Sequence, residues 1–287
     1  MSTSVDFKKV NAIAQNVNFV TRFENGLQNL LAVLDKTSVT KLPAGAAFTT
    51  YAISGELESG TVNPGALIPD SGITAGNGTV AEITYKKYRN LTPIEDIQKK
   101  GYEVAVGGSN KALYGAIQKN VRKSIIDGVD ATGIATPTAL AHGLQGALAT
   151  AASEIDKKFE DEIGTPVFFA NTDDVFTYLG GASVQLQQAF GMSYIENFLG
   201  LGTVILDSNV DTGYVIGTAK ENLEVIGASI EEIPDMDLRT DESGILAVHN
   251  GAAYSNGAVE TVVYTGLCVK PDYLDRVFKV QMTSAEG

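Results

Sequence analysis

The chain has 287 residues, 44% hydrophobic and 19% charged, with a formal net charge of −13. That suits one large or two modest globular domains with a sizeable core. It argues against tight nucleic-acid contact, which calls for a basic patch, and no apolar run approaches the roughly 20 residues that span a bilayer. The start, MSTSVDFKKVNAIAQ, lacks the basic, apolar and small-residue plan of a signal peptide, so folding in a cytoplasm is expected.

The charge is unevenly spread. Residues 131–244 hold 4 Lys and Arg against 18 Asp and Glu, while the remainder nearly cancels. Such acidity favours solubility and repels phosphate.

Residues 1–40 read as an arm with one or two short helices. Phe19, Phe23, Leu27, Leu30, Leu31 and Leu34 make a helical stripe, better suited to docking on a surface than to standing alone. Residues 41–92 change character. AAFTTYAISGELE and TVAEITYKKYRN favour strands, and the Gly- and Pro-containing stretch between them predicts a long hairpin with a loose tip. An isolated two-stranded ribbon is marginal in water, so it needs a partner surface. Lys86, Lys87 and Arg89 end its descending strand and are the candidate inter-subunit contacts, poised to meet an acidic neighbour.

LTPIEDIQKKGYEVAVGG supplies a Pro-started helical turn and a short strand. The central stretch, residues 107–130, is a helix. Leu113, Ile117, Val121 and Ile125 recur every four residues, and Lys111, Lys119, Arg122 and Lys123 lie opposite, the pattern of one buried face. Ser109 is the expected N-cap behind a Gly107-Gly108 hinge, and Gly128 the expected stop.

Residues 131–225 form an alternating α/β block. A helix runs through Leu140, Leu144, Leu148, Ala151, Ile155 and Phe159, PVFFA is a buried strand, and Asn171 caps the helix DVFTYLGG. SVQLQQAF and SYIENFLG are expected as short helices, GTVILDS and TGYVIGT as strands, and AKENLEVI closes the block. Residues 226–287 open with an acidic loop and turn to strands GILAVHNG, AVETVVYTG and RVFKVQM, with Asn250-Gly251 and Asn256-Gly257 as tight turns.

Catalytic chemistry is not visible. There is no Walker-type loop and no GxGxxG, and Gly191-Met192-Ser193-Tyr194-Ile195 lacks the last glycine of a nucleophile elbow. His142 and His249 are the only histidines, far apart and without metal-ligand spacing. Cys268, the sole cysteine, sits in an apolar run as a buried structural thiol. The run Glu231, Glu232, Asp235, Asp237, Asp241, Glu242 lacks the alternation and central glycine of a calcium loop. Pairs such as Glu160-Asp161 and Asp173-Asp174 carry little information in so acidic a segment. No catalytic residue, metal or cofactor is expected.

The order of parts resembles the major capsid proteins of tailed bacteriophages, the Hong Kong 97-like fold. GTPVFFANTDDVFTYLGG is similar to the family's strand and capped helix before the axial tip, and GTVILDSNVDTGYVIGTAKENLEV to its strand, turn and strand leading outward. The resemblance implies an α+β capsid fold. Residues 1–40 would be the N-terminal arm, 41–92 an extended β-hairpin loop, 93–130 with 226–287 a peripheral domain with a spine helix on a sheet, and 131–225 the axial domain. It further implies a structural subunit that assembles into pentamers and hexamers of an icosahedral virion shell around double-stranded DNA, without sequence-specific binding. Assembly would take place in a host bacterial cytoplasm, with a portal and no membrane. Nothing coiled-coil-like precedes Phe7, so a separate scaffolding protein, or none, is expected. An encapsulin-like compartment shell is the alternative, followed by a divergent α/β enzyme; an adhesion module is disfavoured for want of an export signal.

Overall fold

The computed structural model describes residues 7–54, 72–130, 136, 141–159, 164–180, 186–231 and 238–283. The chain opens with α1 (Phe7–Val33), then β1 (Thr40–Leu42) and the antiparallel pair β2 (Ala47–Ser54) and β3 (Thr74–Glu82). β4 (Lys86–Pro93), α2 (Ile94–Lys100) and α3 (Tyr102–Val129) follow. Next come β5 (Ala141–His142), α4 (Gly143–Lys158), β6 (Pro166–Ala170), α5 (Thr172–Leu179), β7 (Gln187–Ala189), β8 (Met192–Phe198), β9 (Gly202–Leu206) and β10 (Tyr214–Ala219). The chain closes with β11 (Leu223–Ala228), β12 (Arg239–Thr240), β13 (Leu246–Ala253), β14 (Ala258–Thr265), β15 (Leu267–Pro271) and β16 (Phe278–Thr283).

A seven-stranded mixed sheet has the order β5-β16-β10-β6-β9-β8-β7. Its central strand β6 is buried on both faces, which is why PVFFA is uninterruptedly apolar. Strand alternation divides it: Phe168 and Ala170 face α4 and α5, whereas Val167 and Phe169 face the main core with α1 and α3. α4 presents Leu144, Ala147, Leu148, Ala151 and Ile155 to the first face, and Asn171 caps α5 by accepting from Asp173 N at 2.9 Å.

α3 runs about 42 Å, and its stripe of Ile117, Val121, Ile125, Ile126 and Val129 is buried in that main core. Beneath its first half lies the antiparallel sheet β12-β13-β14-β4, where Asn110 accepts a hydrogen bond from Thr261 at 2.8 Å. Its last turn lies on β15 of the sheet β1-β11-β15. There Gly128 approaches so closely that a Cβ would stand 2.0 Å from the Val269 carbonyl oxygen. Lys279 of β16 then ties the helix end to the β9–β10 connection, reaching Asp130 at 2.7 Å and Asp211 at 3.0 Å. Burial lowers the affinity of that ammonium for its proton, but hydrogen bonds and charge from the two carboxylates outweigh it and hold its pKa above the ordinary lysine value.

Several local expectations change. α1 is one helix of 27 residues, not one or two short ones, and Phe19, Phe23, Leu27, Leu30 and Leu34 of its stripe enter the chain's own core. α3 begins at Tyr102 and passes through Gly107-Gly108 without a hinge, absorbing the strand expected there. Burial of Val106 and Asn110 against the sheet overrides the weak helix propensity of the glycines. Ser109 is therefore interior to the helix, its hydroxyl accepting from Asn90. SVQLQQAF and SYIENFLG supply strands β7 and β8 instead of helices, joined by a two-residue turn at Phe190 and Gly191 with φ of +50° and +77°. Short apolar runs do not reveal their period, and the turn signal at Gly191 was the usable clue. Asn250-Gly251 lies within β13, while Asn256-Gly257 is a turn. The hairpin tip at 55–71, Leu140, the Glu160-Asp161 pair and residues 232–237 of the acidic run fall outside the described residues.

Gly128→Ala is expected to destabilise the chain by about 2–3 kcal/mol, because the methyl meets backbone and not a side chain that can yield. Urea unfolding of the purified variant measures this.

Candidate assembly surface

β2 and β3 form a sheet of two strands, which the body meets through one bridge from Tyr51 to Tyr273 and at the root. There Gly45 N donates to Ile83 O at 2.8 Å and Ile83 N to Ala46 O at 3.0 Å. Ile83, Ile226 and Ala228 form a small buried cluster with Phe48 and Tyr85 against it. A register shift between Thr49 and Tyr51 bends β2, bringing Tyr51 N within 2.8 Å of Asp272 O. Ile73, beyond this anchorage, and Val80, opposite Thr49 within it, are both exposed, Val80 at 61%.

Two other exposed apolar groups sit elsewhere. The turn after β13 presents Tyr254, 92% exposed, and its Gly257 carbonyl accepts from Ile94 N at 3.0 Å, which sets exposed Ile94 beside it. At the α5 end of the seven-stranded sheet, Phe176, Tyr178 and Leu199 are exposed. Tyr178 stacks edge-on against Phe198 with centroids 6.1 Å apart. The β8–β9 turn holds Asn197 and Leu199 at positive φ (48° and 54°). A leucine kept in the left-handed region with its side chain in water is unfavourable twice over, and such strain is a pointer to function.

The cations singled out from sequence do not lie on the ribbon. The ribbon strand ends at Glu82, and Lys86, Lys87 and Arg89 belong to β4, whose eight residues pair with β14. Continuous strand propensity across residues 79–90 hid a change of sheet that Ile83 makes by turning into the core. Lys86 donates to Ser124 Oγ of α3. Arg89 pairs with Glu260 of the same chain at 2.7 Å. Lys87 is exposed and makes no ion pair among the described residues.

Glu82, Lys86, Ser124, Gly128, Cys268 and Lys270 line an open cavity of about 240 Å³ beside the ribbon root. Burial pushes the Cys268 thiol up, against the pull of Lys270 and Lys86, so it stays protonated at neutral pH. His142 lies on β5 and His249 on β13. Asp241 is buried and accepts from Ile245 N and Leu246 N, both at 2.8 Å, so this member of the acidic run shapes a turn. No helix among the described residues is long and apolar enough to cross a membrane.

No protein-family model matches the sequence, and no curated protein matches it. Solved structures do match. The virus-like particle of Pyrococcus furiosus aligns over 91% of this chain and 99% of its own, with a TM-score of 0.51 at 13% identity. The capsid of a native GTA particle computed with C5 symmetry aligns over 89% and 90%, with a TM-score of 0.54 at 10% identity. The holo-SrpI encapsulin complex of Synechococcus elongatus aligns over 87% and 86%, with a TM-score of 0.53 at 11% identity. The chain has the Hong Kong 97-like capsid fold.

Asp272, whose carbonyl anchors the ribbon, carries a pKa raised by burial and by nearby Glu224, against Lys36. A raised carboxyl binds its proton better in the folded state. Its favourable contribution is full below the unfolded pKa and is lost as pH rises through the folded one. Asp272→Asn is therefore expected to be more stable than the parent at pH 7, with the difference shrinking as pH falls through the carboxylate range. Thermal unfolding at a series of pH values checks it.

Proposed function

We propose that this chain is the major shell subunit of a tailed-phage-type head, assembling as pentamers and hexamers into an icosahedral virion shell that encloses double-stranded DNA. The observation that carries the reading is the combination of this fold with three exposed apolar surfaces in separate places: the ribbon, the Tyr254 turn and the α5 edge. One complementary pair of surfaces closes a ring, and joining rings into a closed shell takes a further contact. A two-stranded ribbon is marginal in water by itself and gains from a further partner surface.

In this reading residues 1–40 are the arm, of which Phe19, Phe23, Leu27, Leu30 and Leu34 enter the subunit's own core, and 41–92 the extended loop, with 86–92 serving as its sheet-bound base. Residues 93–130 with 226–287 are the peripheral domain and 131–225 the axial domain. Lys87 is the cation most available to a neighbouring copy, with Lys86 and Arg89 partly engaged within the chain. The acidity of 131–244 suits a surface that must not hold packaged DNA. Binding to the contents is non-specific, a portal and a separate scaffolding protein complete the head, and assembly precedes release from a bacterial cytoplasm.

A second reading, an encapsulin-like compartment, is favoured by the encapsulin match, whose TM-score of 0.53 is level with that of the GTA capsid at 0.54. Contents separate the two: particles holding DNA support the head, and particles holding a protein cargo support the compartment.

Purified chain examined by negative-stain microscopy and light scattering is expected to form closed particles. Val80→Asp and Tyr254→Asp, both at exposed positions, are expected to shift subunit stability by no more than about 0.5 kcal/mol while abolishing particles. A parent chain that stays a compact monomer at high concentration would overturn the shell reading.

A further inference from the structure

The β8–β9 turn holds one leucine in water and gives it no way back. Asn197 and Leu199 both stand at positive φ, and the pairing of the two strands slips between Ile195 and Phe198 before closing at Gly202. Leu199, at the apex, is 47% exposed. Its neighbours fix it there. Phe198 is buried, and Leu201 packs against the same core. Gly202 lies so close to β6 that a Cβ would stand 2.5 Å from the Pro166 carbonyl oxygen. A left-handed backbone favours glycine over leucine, so the geometry of the turn does not account for the side chain it carries at 199.

The same chain holds a receptor of matching chemistry. An open cavity of about 350 Å³ is lined by Leu144, Tyr178 and Met282, with Thr177 and Thr283 beside them. Among the described residues that line it, Asp174 alone carries a charge, and its Oδ2 accepts from Gly213 N at 2.7 Å. The wall is otherwise uncharged, which suits an apolar insert. The turn and the cavity lie at opposite ends of the seven-stranded sheet. Met282 N donates to Gly213 O at 2.8 Å just before β10, and β10 begins where β6 ends, Val215 pairing with Ala170. The turn stands at Pro166, where β6 starts. The length of β6, about 13 Å, therefore separates them. A knob and a socket on different parts of one surface make a heterologous contact between copies, and such contacts generate rings when the rotation closes.

We propose that Leu199 of one copy inserts into the Leu144, Tyr178 and Met282 cavity of the next, head to tail around a ring. The partner is a second copy of this chain, and the inference rests on the shell-subunit reading above.

Two variants separate the knob from the fold. Leu199→Gly relieves the turn, so free full-length subunits are expected to melt at or above the parent Tm. The concentration at which particles form is expected to rise at least about tenfold, the value of one buried leucine. Thr177→Trp, at an exposed position on the cavity wall, fills the socket from outside and is expected to raise that concentration likewise, with the subunit Tm unchanged. The contact itself is read by assembling L199C subunits mixed with T283C subunits and treating the particles with a short bis-maleimide. A covalent dimer holding one of each is expected, and none from L199C alone or T283C alone, each of which also carries Cys268. L199G or T177W particles that form at the parent's concentration overturn the insertion and leave the shell reading standing. So does a mixture that assembles without the mixed dimer, or a dimer from L199C alone, which would place the leucine on another surface. L199G that melts below the parent overturns it too, because the leucine then serves its own fold. A parent chain that forms no particles overturns the shell reading, and the insertion with it.

Discussion

One helix face organises this molecule. The stripe along α3 is buried against two different sheets at once, over a length of about 42 Å, and it meets the second of them with no side chain between, Gly128 lying directly on the Val269 carbonyl. Close-packed interiors do not deform smoothly, so the positions of β4, β14 and β15 follow from where that helix lies. α1 extends the same core from the other side, through Phe23 and Phe190, and the seven-stranded sheet contributes its inner face. The ribbon inherits its direction from this body, because its root is fixed by Ile83 and by the carbonyl of Asp272.

The body satisfies itself, and the edges do not. Exposed Val80, Tyr254 and Leu199 lie on three separate elements. The net charge of −13 keeps separate chains apart in solution. The cations of β4 differ in what they already touch within the chain. Arg89 is largely occupied by Glu260, and an exposed ion pair of that kind contributes little by itself.

Periodicity made the long elements legible: the α3 stripe, the α4 stripe, PVFFA, the Asn171 cap and the closing strands all stand where their residues place them. The order of these parts carried the resemblance that implied the α+β capsid fold. What stayed hidden was decided by contacts distant in sequence. Gly107-Gly108 reads as a hinge until a sheet buries Val106 and Asn110 beside it. SVQLQQAF reads as a helix until β8 finds β9 as a partner. Residues 79–90 read as one strand until Ile83 turns inward and sends Lys86, Lys87 and Arg89 to another sheet. The spacing of apolar residues along a chain is local information, sufficient to specify a buried face. Which surface that face meets, and which strands end as neighbours, depends on residues a hundred or more positions away, and only the folded chain brings those together.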